Sequence, residues 1–298
     1  MIEYDQIVVV TKETDYERLN IRYASAEQAS FALASRGDTL EKYAQSATTY
    51  ASNVRKVHLQ LPKQLPTEAI KIDQVPLFPW RSGQIVVLCG PDGLFVNVAK
   101  SITDQPVICV NPDPAHVSGI IMKHDPSHVG QLIEKVISGI AEITRVTLAR
   151  ASTNDGQELL AVNDFLVGRL DQRSSRYRLS YKKQQENQCS SGILVSAPMG
   201  GTGWIKSCMG QPPSFKSWSD NQLVFWVREP FVSVDTTAAI TTGVIDPHRR
   251  GTTLTIRSEM PDGGVIFSDG MPDQLIQFTT GTEATFAVAT RKVNYIAG

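Results

Sequence analysis

The sequence predicts a two-domain protein of mixed α+β and α/β class, with an α/β domain first and a β-rich sandwich domain second. In the first half, short apolar runs alternate with helical patterns, which is typical of a mostly parallel sheet. From about residue 146 onward the hydrophobic period changes to two, with few helical stretches, and this indicates an antiparallel sandwich. We therefore expect one domain over residues 1–145 and a second over residues 146–275.

Hydrophobic periodicity predicts the elements of the first half in order. They are a strand at 7–10, helices over 26–35 and 40–54, a strand at 57–61, a connection over 62–79, strands at 85–89 and 106–110, and a helix over 127–144. In the second half we expect a short helix beginning near Trp204 and strands at 146–149, 159–167, 177–181, 192–196, 223–227, 252–257, 264–267 and 284–288.

Composition excludes several classes of protein. A hydrophobic fraction of 41% with 20% charged residues is typical of a globular protein. The net charge of -1 gives no electrostatic signature for nucleic acid or for an anionic membrane surface, so neither is expected as a partner. The four cysteines lie far apart without a C-x-x-C pair, which argues against a zinc site or a disulfide framework and favours the cytoplasm.

The first stretch with chemical content is Ile85 to Gly93, an apolar strand that ends in a glycine turn with Asp92 at its tip. Ligands bind at such edges of α/β sheets because free backbone N–H groups and the helix dipole attract phosphate. A carboxylate there should repel phosphate, so Asp92 indicates a catalytic base or a metal anchor. A helix N-cap is the alternative, since aspartate is also a favoured capping residue.

Two later stretches add to this pattern. An apolar strand leads into Gly200-Gly201-Thr202-Gly203, where small residues let backbone amides approach a ligand. Trp204 follows and offers a flat face for stacking, with core packing as the alternative. Asn163 and Asp164 interrupt the predicted 159–167 strand and should point to opposite faces, where a buried carboxylate needs a partner from protein or ligand.

In this order, the stretches resemble the motifs of the NAD kinase family over roughly residues 80–298. The family has a Gly-Gly-Asp-Gly turn, an Asn-Glu pair, a Thr-Gly-Ser-Thr-Ala-Tyr loop and a late Asp-Gly. This chain has, in turn, Gly90-Pro91-Asp92-Gly93, Asn163-Asp164, Gly200-Gly201-Thr202-Gly203-Trp204 and Ser268-Asp269-Gly270. Its Val110-Asn111-Pro112-Asp113-Pro114 segment is similar to the branch that includes the animal mitochondrial NAD kinase and its bacterial relatives.

The resemblance implies a reaction and an architecture. The reaction is transfer of the γ-phosphoryl group of ATP to the 2′-hydroxyl of the adenosine ribose of NAD, which gives NADP, with Mg²⁺ as cofactor. The architecture is the NAD kinase or diacylglycerol kinase-like fold, in which residues 276–298 return to the N-terminal domain. Family members are usually dimers or tetramers, so a homo-oligomer is expected.

The resemblance also assigns roles to residues of this chain. Asp92 matches the catalytic base, and the backbone around Gly90 and Gly93 matches the phosphate-binding turn. No residue is assigned as a metal ligand. The dinucleotide-binding set consists of Asn163 and Asp164 on the ribose or nicotinamide side, Thr202, Gly203 and Trp204 on the adenine side, and Gly200, Gly201 and Ser207 in the same segment.

Among the positions at which the chain departs from the family pattern, four bear on the chemistry of the site. Pro91 replaces the second glycine and removes an N–H group, and Asp164 is one methylene shorter than glutamate. Met199 and Gly201 replace residues with hydroxyl groups. The alternatives are a kinase of the same fold that acts on a lipid or sugar hydroxyl, and a catalytically silent NAD(P)-binding protein. A dehydrogenase or P-loop enzyme is disfavoured, because neither glycine-rich fingerprint is present.

Overall fold

The protein is described here from a computed structural model, which covers residues 3–114, 119–271 and 274–298. The chain forms two compact units, one of residues 1–144 together with 294–298 and the other of residues 145–293. None of the helices in the covered ranges is long and apolar enough to cross a membrane.

The first unit is an α/β layer structure around a parallel sheet. The sheet runs in the order β2-β1-β3-β4, with residues 294–295 paired in parallel beside β4. Strands β3 and β4 are buried along their whole length, as expected for a sheet covered on both faces. The elements are β1 (Gln6–Thr11), α1 (Asp15–Arg22), α2 (Ala26–Ala34), α3 (Leu40–Gln60), β2 (Thr67–Lys71), β3 (Gln84–Cys89), α4 (Asp92–Val98), β4 (Pro106–Val110) and α5 (Val129–Ile137).

Two predictions for residues 57–79 are wrong. Residues 57–60 are the last turn of α3 rather than a strand, because Val54, Val57 and Leu61 recur at helical spacing and pack against one core cluster. The 62–79 connection contains the edge strand β2 and a 3₁₀-helix at Ile72–Leu77. Strand β2 escaped prediction because only Ile70 of its five residues is buried.

The helix predicted over residues 127–144 is also too long. Helix α5 ends at Ile137, and Gly139 follows with a φ of 70°, in the left-handed region that glycine adopts without strain. A strand then begins at Ile143 and continues into the second unit.

The second unit is a sandwich of two sheets, which confirms the predicted fold class. One sheet has six antiparallel strands in the order β12-β11-β10-β7-β14-β15. The other contains β16-β13-β8-β9, also antiparallel, with β5 and β6 attached at β16. The elements are β5 (Ile143–Thr153), β6 (Glu158–Ala161), β7 (Asp164–Arg169), β8 (Ser175–Tyr181), β9 (Gln184–Ser190), β10 (Ile193–Ser196), α6 (Trp204–Met209), β11 (Leu223–Val227), β12 (Thr242–Ile245), β13 (Leu254–Ser258), β14 (Gly264–Ser268), β15 (Leu275–Gln277) and β16 (Glu283–Ile296).

One core lies between these sheets. Phe165 and Phe225 come from the six-stranded sheet, and Tyr177 and Phe286 from the other, and all four side chains are fully buried. The rings of Phe165 and Phe286 meet edge to face with centroids 5.8 Å apart. Around Tyr177 and Phe286, buried residues alternate with more exposed ones, as the period-two pattern predicts, whereas the strands of Phe165 and Phe225 are buried along nearly their whole length.

The predicted 159–167 strand is interrupted, so the prediction that Asn163 and Asp164 point to opposite faces of one strand is wrong. Strand β6 ends at Ala161 and β7 begins at Asp164. The backbone bends between them because the N–H groups of Val162 and Asn163 donate to a side-chain carboxylate instead of to a neighbouring strand.

Candidate active site

Within the second unit, the fold brings together segments that lie more than a hundred residues apart in sequence. The carboxylate of Asp269 accepts hydrogen bonds from the N–H groups of Val162 at 3.1 Å, Asn163 at 2.7 Å and Asp164 at 3.3 Å. In return, the N–H group of Asp269 donates to the carbonyl of Asp164 at 2.9 Å. Asp269 has a φ of 55°, a left-handed conformation that aspartate tolerates better than most residues. The late Asp-Gly motif therefore fixes the Asn-Asp pair.

The glycine-rich loop packs on the same pair. The N–H group of Ala197 donates to the carbonyl of Asn163 at 2.8 Å. A Cβ atom added to Gly200 would overlap with the backbone of Asn163, so this close approach requires glycine. A Cβ atom added to Gly201 would lie 2.6 Å from the ring of Phe215. That ring occupies the space that the serine of the family pattern would need, which explains the departure at Gly201.

The side chains of the pair have no hydrogen-bond partner among the described residues. Asp164 is only 7% exposed, and burial, followed by the nearby Asp269 carboxylate, raises its pKa to about 7. The side-chain amide of half-buried Asn163 likewise forms no hydrogen bond with a described residue. A nearly buried carboxyl group without a protein partner is costly, and a ligand that supplies the partner offsets the cost.

Trp204 begins helix α6 next to the loop. It is 37% exposed, so the core-packing alternative for this residue is wrong. The guanidinium carbon of Arg228 lies 5.2 Å from the centre of the indole ring, at cation–π distance. Thr202, Gly203 and Ser207 are exposed in the same segment. Sequence reasoning missed Arg228, because an arginine at the end of a strand gives no signal of the ring that it covers.

In the first unit, the carboxylate of Asp92 is occupied by backbone groups. It accepts N–H groups from Ile120 at 3.1 Å, Ile121 at 3.1 Å and Met122 at 2.9 Å. The N-cap of helix α4 is Pro91, so the capping alternative for Asp92 is wrong. A carboxylate offers about four acceptor positions, so one stays open for a ligand.

The two glycines beside Asp92 differ in their surroundings. Gly90 is buried, and an added Cβ atom would lie 2.9 Å from the side chain of Leu94. Gly93 is exposed in the first turn of α4, with nothing within 4 Å of such an atom. The space beside Gly93 is therefore free of packing contacts, whereas Gly90 serves the packing of the turn.

A cleft of about 260 Å³ lies at the carboxyl ends of β1, β3 and β4. Gly90, Pro91 and Asn111 form one part of its lining. Three basic residues, Lys12, Arg18 and Lys42, are also in the lining. None of these basic residues was predicted as part of a site, because a lysine or arginine outside a motif reads as an ordinary surface charge.

Comparison with known proteins identifies the fold. No protein-family model and no curated protein matches the sequence. Solved structures do match. Yeast NADH kinase, complexed with NADH, aligns with 99% of this chain and 84% of its own at 14% identity and a TM-score of 0.67. An NAD kinase from Archaeoglobus fulgidus, in complex with ATP, aligns with 97% of this chain and 93% of its own at 14% identity and a TM-score of 0.59. The chain has the NAD kinase fold.

Within this NAD kinase fold, the predicted site residues fall into two groups. Asp92, Gly90 and Gly93 lie at the sheet edge of the first unit, and the predicted dinucleotide-binding residues lie together in the second unit. No group of three or more His, Cys, Asp or Glu side chains that could hold a metal occurs in the described ranges. Mg²⁺ commonly binds through one or two carboxylates together with substrate phosphates, a mode that needs no preformed cluster of protein ligands.

Proposed function

We propose that this chain is an NAD kinase-like phosphotransferase that uses ATP to phosphorylate the 2′-hydroxyl of the adenosine ribose of NAD. The observation that carries the proposal is the Asn163-Asp164 pair. Its two polar side chains have no hydrogen-bond partner among the described residues, while its backbone is fixed by Asp269 and by the loop around Gly200. Groups held rigidly and left unpaired are suited to bind the hydroxyl and amide groups of a dinucleotide.

The dinucleotide is held in the second unit. Asn163 and Asp164 bind the ribose or nicotinamide side, and Trp204 stacks on the adenine side next to Thr202 and Gly203. The exposed face of the indole ring supports this, because a stacked aromatic pair contributes about 0.5–1.5 kcal/mol beyond burial. Ser207 and Gly201 complete the segment.

Asp92 acts as the catalytic base. As the bond from the ribose oxygen to the γ-phosphorus forms and the bond to the leaving ADP breaks, the hydroxyl proton passes to the open acceptor position of the Asp92 carboxylate. The backbone at Gly93 lies beside it and is open to a phosphate oxygen. When bound with ATP, Mg²⁺ supplies neutralisation of the phosphate charge.

The test is direct. Purified protein is incubated with ATP, Mg²⁺ and NAD, and NADP is detected with an NADP-specific dehydrogenase, with EDTA as the control that should stop its formation. If no NADP forms but NAD or NADP raises the melting temperature, the chain is a silent NAD(P)-binding protein. If only ATP stabilises it, a kinase with a lipid or sugar acceptor is the better account.

The silent-binder alternative has one observation in its favour. Phe215 fills the space that a serine side chain at position 201 would need, so that a hydroxyl of the family's loop is missing here. We further propose a cytoplasmic homodimer or tetramer, which sedimentation and cell fractionation would test.

A further inference from the structure

Strands β8 and β9 form a hairpin whose two-residue turn has an unusual composition. The turn residues Lys182 and Lys183 have φ values of 49° and 64°, so both lie in the left-handed region. Such turns are ordinarily built from Asn-Gly or other glycine-containing pairs, because a long side chain in this conformation is strained. The hairpin therefore holds two lysines against a backbone preference, and strain of this kind clusters at segments that bind ligands.

The turn is held in place by Tyr181, the last residue of β8. The Tyr181 hydroxyl donates to the carbonyl of Val244 at 2.8 Å and accepts the N–H group of the same residue at 3.0 Å. Its ring packs edge to face against Phe225 with centroids 5.0 Å apart. The ammonium group of Lys182 lies 5.2 Å from the centre of the Tyr181 ring, at cation–π distance. Contacts with the opposite sheet of the sandwich therefore fix the start of the turn.

A groove of about 410 Å³ lies beside this turn, within the second unit. Polar side chains that lie opposite one another on neighbouring strands line it: Gln185 of β9 pairs with Ser180 of β8, and Ser180 pairs with Thr255 of β13. The side-chain amide of Gln185 donates to the hydroxyl of Ser180 at 2.9 Å. Thr253 contributes a further hydroxyl group. The groove therefore presents both donors and acceptors of hydrogen bonds.

The charge beside the groove is positive. Lys182 and Lys183 belong to its lining, and no acidic side chain occurs among the described residues that line it. Both lysines are exposed, and neither forms an ion pair with a described residue. Arg249 and Arg250, which directly precede Gly251 of the lining, are likewise exposed without an ion pair in the described part of the chain. Like charges gathered at one place repel one another, and a bound anion removes this repulsion.

We propose that this groove binds a sugar phosphate, at a second site of the protein. Lys182 and Lys183 bind the phosphate group through charge-assisted hydrogen bonds. The row of Gln185, Ser180 and Thr255 binds the hydroxyl groups of the sugar. None of the candidate active-site residues lines the groove, so the inference does not depend on the proposed function.

The lining also decides between classes of phosphate ester. Nucleotides are commonly bound by stacking of the base on an aromatic side chain. Tyr181, the one aromatic residue among the described lining, is only 6% exposed and has Lys182 over its ring. The groove lies within the roughly 300–1,000 Å³ of small-molecule sites. A compact ligand with one phosphate and several hydroxyl groups therefore fits the lining better than a nucleotide.

The test is calorimetric titration of the whole protein with glucose 6-phosphate, inorganic phosphate and glucose. Glucose 6-phosphate should bind more tightly than inorganic phosphate, and glucose should give no measurable binding. Lys183→Gln should weaken the binding of both phosphates by roughly tenfold to a hundredfold, the usual range for a hydrogen bond to a charged group. Thr255→Val should weaken the binding of glucose 6-phosphate alone, by roughly two- to tenfold. Lys216→Gln, at an exposed lysine of the same unit, is the matched control and should change no titration.

A double variant, Lys182→Asn with Lys183→Gly, separates binding from folding. An Asn-Gly turn adopts the left-handed conformation without strain, so the melting temperature should rise while the binding of glucose 6-phosphate is lost. A lower melting temperature would mean that the lysines serve the fold, which contradicts the proposal. Unchanged affinity for glucose 6-phosphate in this variant or in Lys183→Gln overturns it, and equal affinities of the unchanged protein for glucose 6-phosphate and inorganic phosphate overturn the sugar as part of the ligand.

Discussion

Asp92 combines a structural contact with its proposed chemical role. Its carboxylate holds three consecutive N–H groups, those of Ile120, Ile121 and Met122, and keeps one acceptor position open. The Tyr295 hydroxyl fixes the same segment from the other side by donating to the carbonyl of Ile121 at 2.8 Å. The proposed base is therefore oriented by the loop that it holds.

Asp92→Asn should lower both activity and stability. The amide cannot accept a proton, which removes about 10²–10⁴ in rate, and its NH₂ group faces a backbone N–H, which costs about 1–3 kcal/mol. Turnover and urea unfolding measure the two effects. The control is Asp73→Asn, at an exposed carboxylate of the same unit, which should change neither. Full turnover in Asp92→Asn would contradict the assignment as base.

Asp164 makes stability depend on pH. Its folded-state pKa of about 7 lies above the ordinary value of 3.8, so between these values the folded state holds a proton that the unfolded state releases. Stability should therefore fall as pH rises from about 4 to about 7, by up to roughly 4 kcal/mol. Asp164→Asn should flatten this slope in denaturant unfolding of the second unit, whereas Glu283→Gln, at an exposed carboxylate, should keep it. An unchanged slope in Asp164→Asn would mean that Asp164 is not the titrating group.

Trp204→Ala should weaken the binding of NAD and leave that of ATP unchanged. The loss of stacking amounts to roughly a three- to tenfold rise in the Kd for NAD, and Trp204→Phe should retain most of the affinity. Because the side chain is partly exposed, the melting temperature should hardly change. Equal losses for both nucleotides would argue against an adenine-side role.

At the scale of elements, the sequence predicts those strands that are buried on both faces. Strands β1, β3 and β4 are continuous apolar runs bounded by turn residues, and the structure places all three where the pattern predicts. Helix α1 escaped prediction because none of its eight residues is buried, although Thr14 and Glu17 form a capping box at its start. Elements without a buried face leave no hydrophobic pattern to read.

The site was predictable to a similar degree. Local motifs single out Asp92, Asn163 and the glycine loop as candidates, since the residue types that mark them lie within a few positions of one another. The bend at Asn163 was not predictable, because it is caused by Asp269, which lies more than a hundred residues away in sequence. Neither was the cleft at Lys12, which depends on the contacts of Tyr50 and Asn53 with loops distant in sequence.

The packing of Gly200 on the backbone of Asn163 predicts that this position does not tolerate a side chain. Gly200→Ala should destabilise the second unit by about 1–3 kcal/mol, because the new methyl group meets the backbone of Asn163, which cannot rotate away. Gly93→Ala is the matched stability control, since the space around it is open and alanine favours the helix by about 1 kcal/mol. Chemical unfolding measures both. Equal stabilities of Gly200→Ala and the unchanged protein would contradict the close packing of the loop on the pair.

At the scale of the whole chain, the first unit is built from two separate parts of the sequence. The chain leaves it after Thr144 and returns to it at Asn294. The returning residues pair with β4, and the carbonyl of Ile296 binds the ring nitrogen of His124 at 2.8 Å. The last strand of the first unit's sheet is therefore supplied by residues that follow the second unit in sequence.

Removal of residues 294–298 should unfold the first unit selectively. Tyr295 and Ile296 are almost fully buried, and truncation of such side chains costs about 2–5 kcal/mol each, which approaches the 5–15 kcal/mol that stabilises a typical domain. Hydrogen exchange should show lost protection in β3 and β4 and retained protection in β7 and β10. Tyr295→Phe, which removes the hydrogen bond to Ile121, should cost about 1 kcal/mol and lower turnover through Asp92. Retained protection of β3 and β4 in the truncated chain would show that the first unit holds together without its last strand.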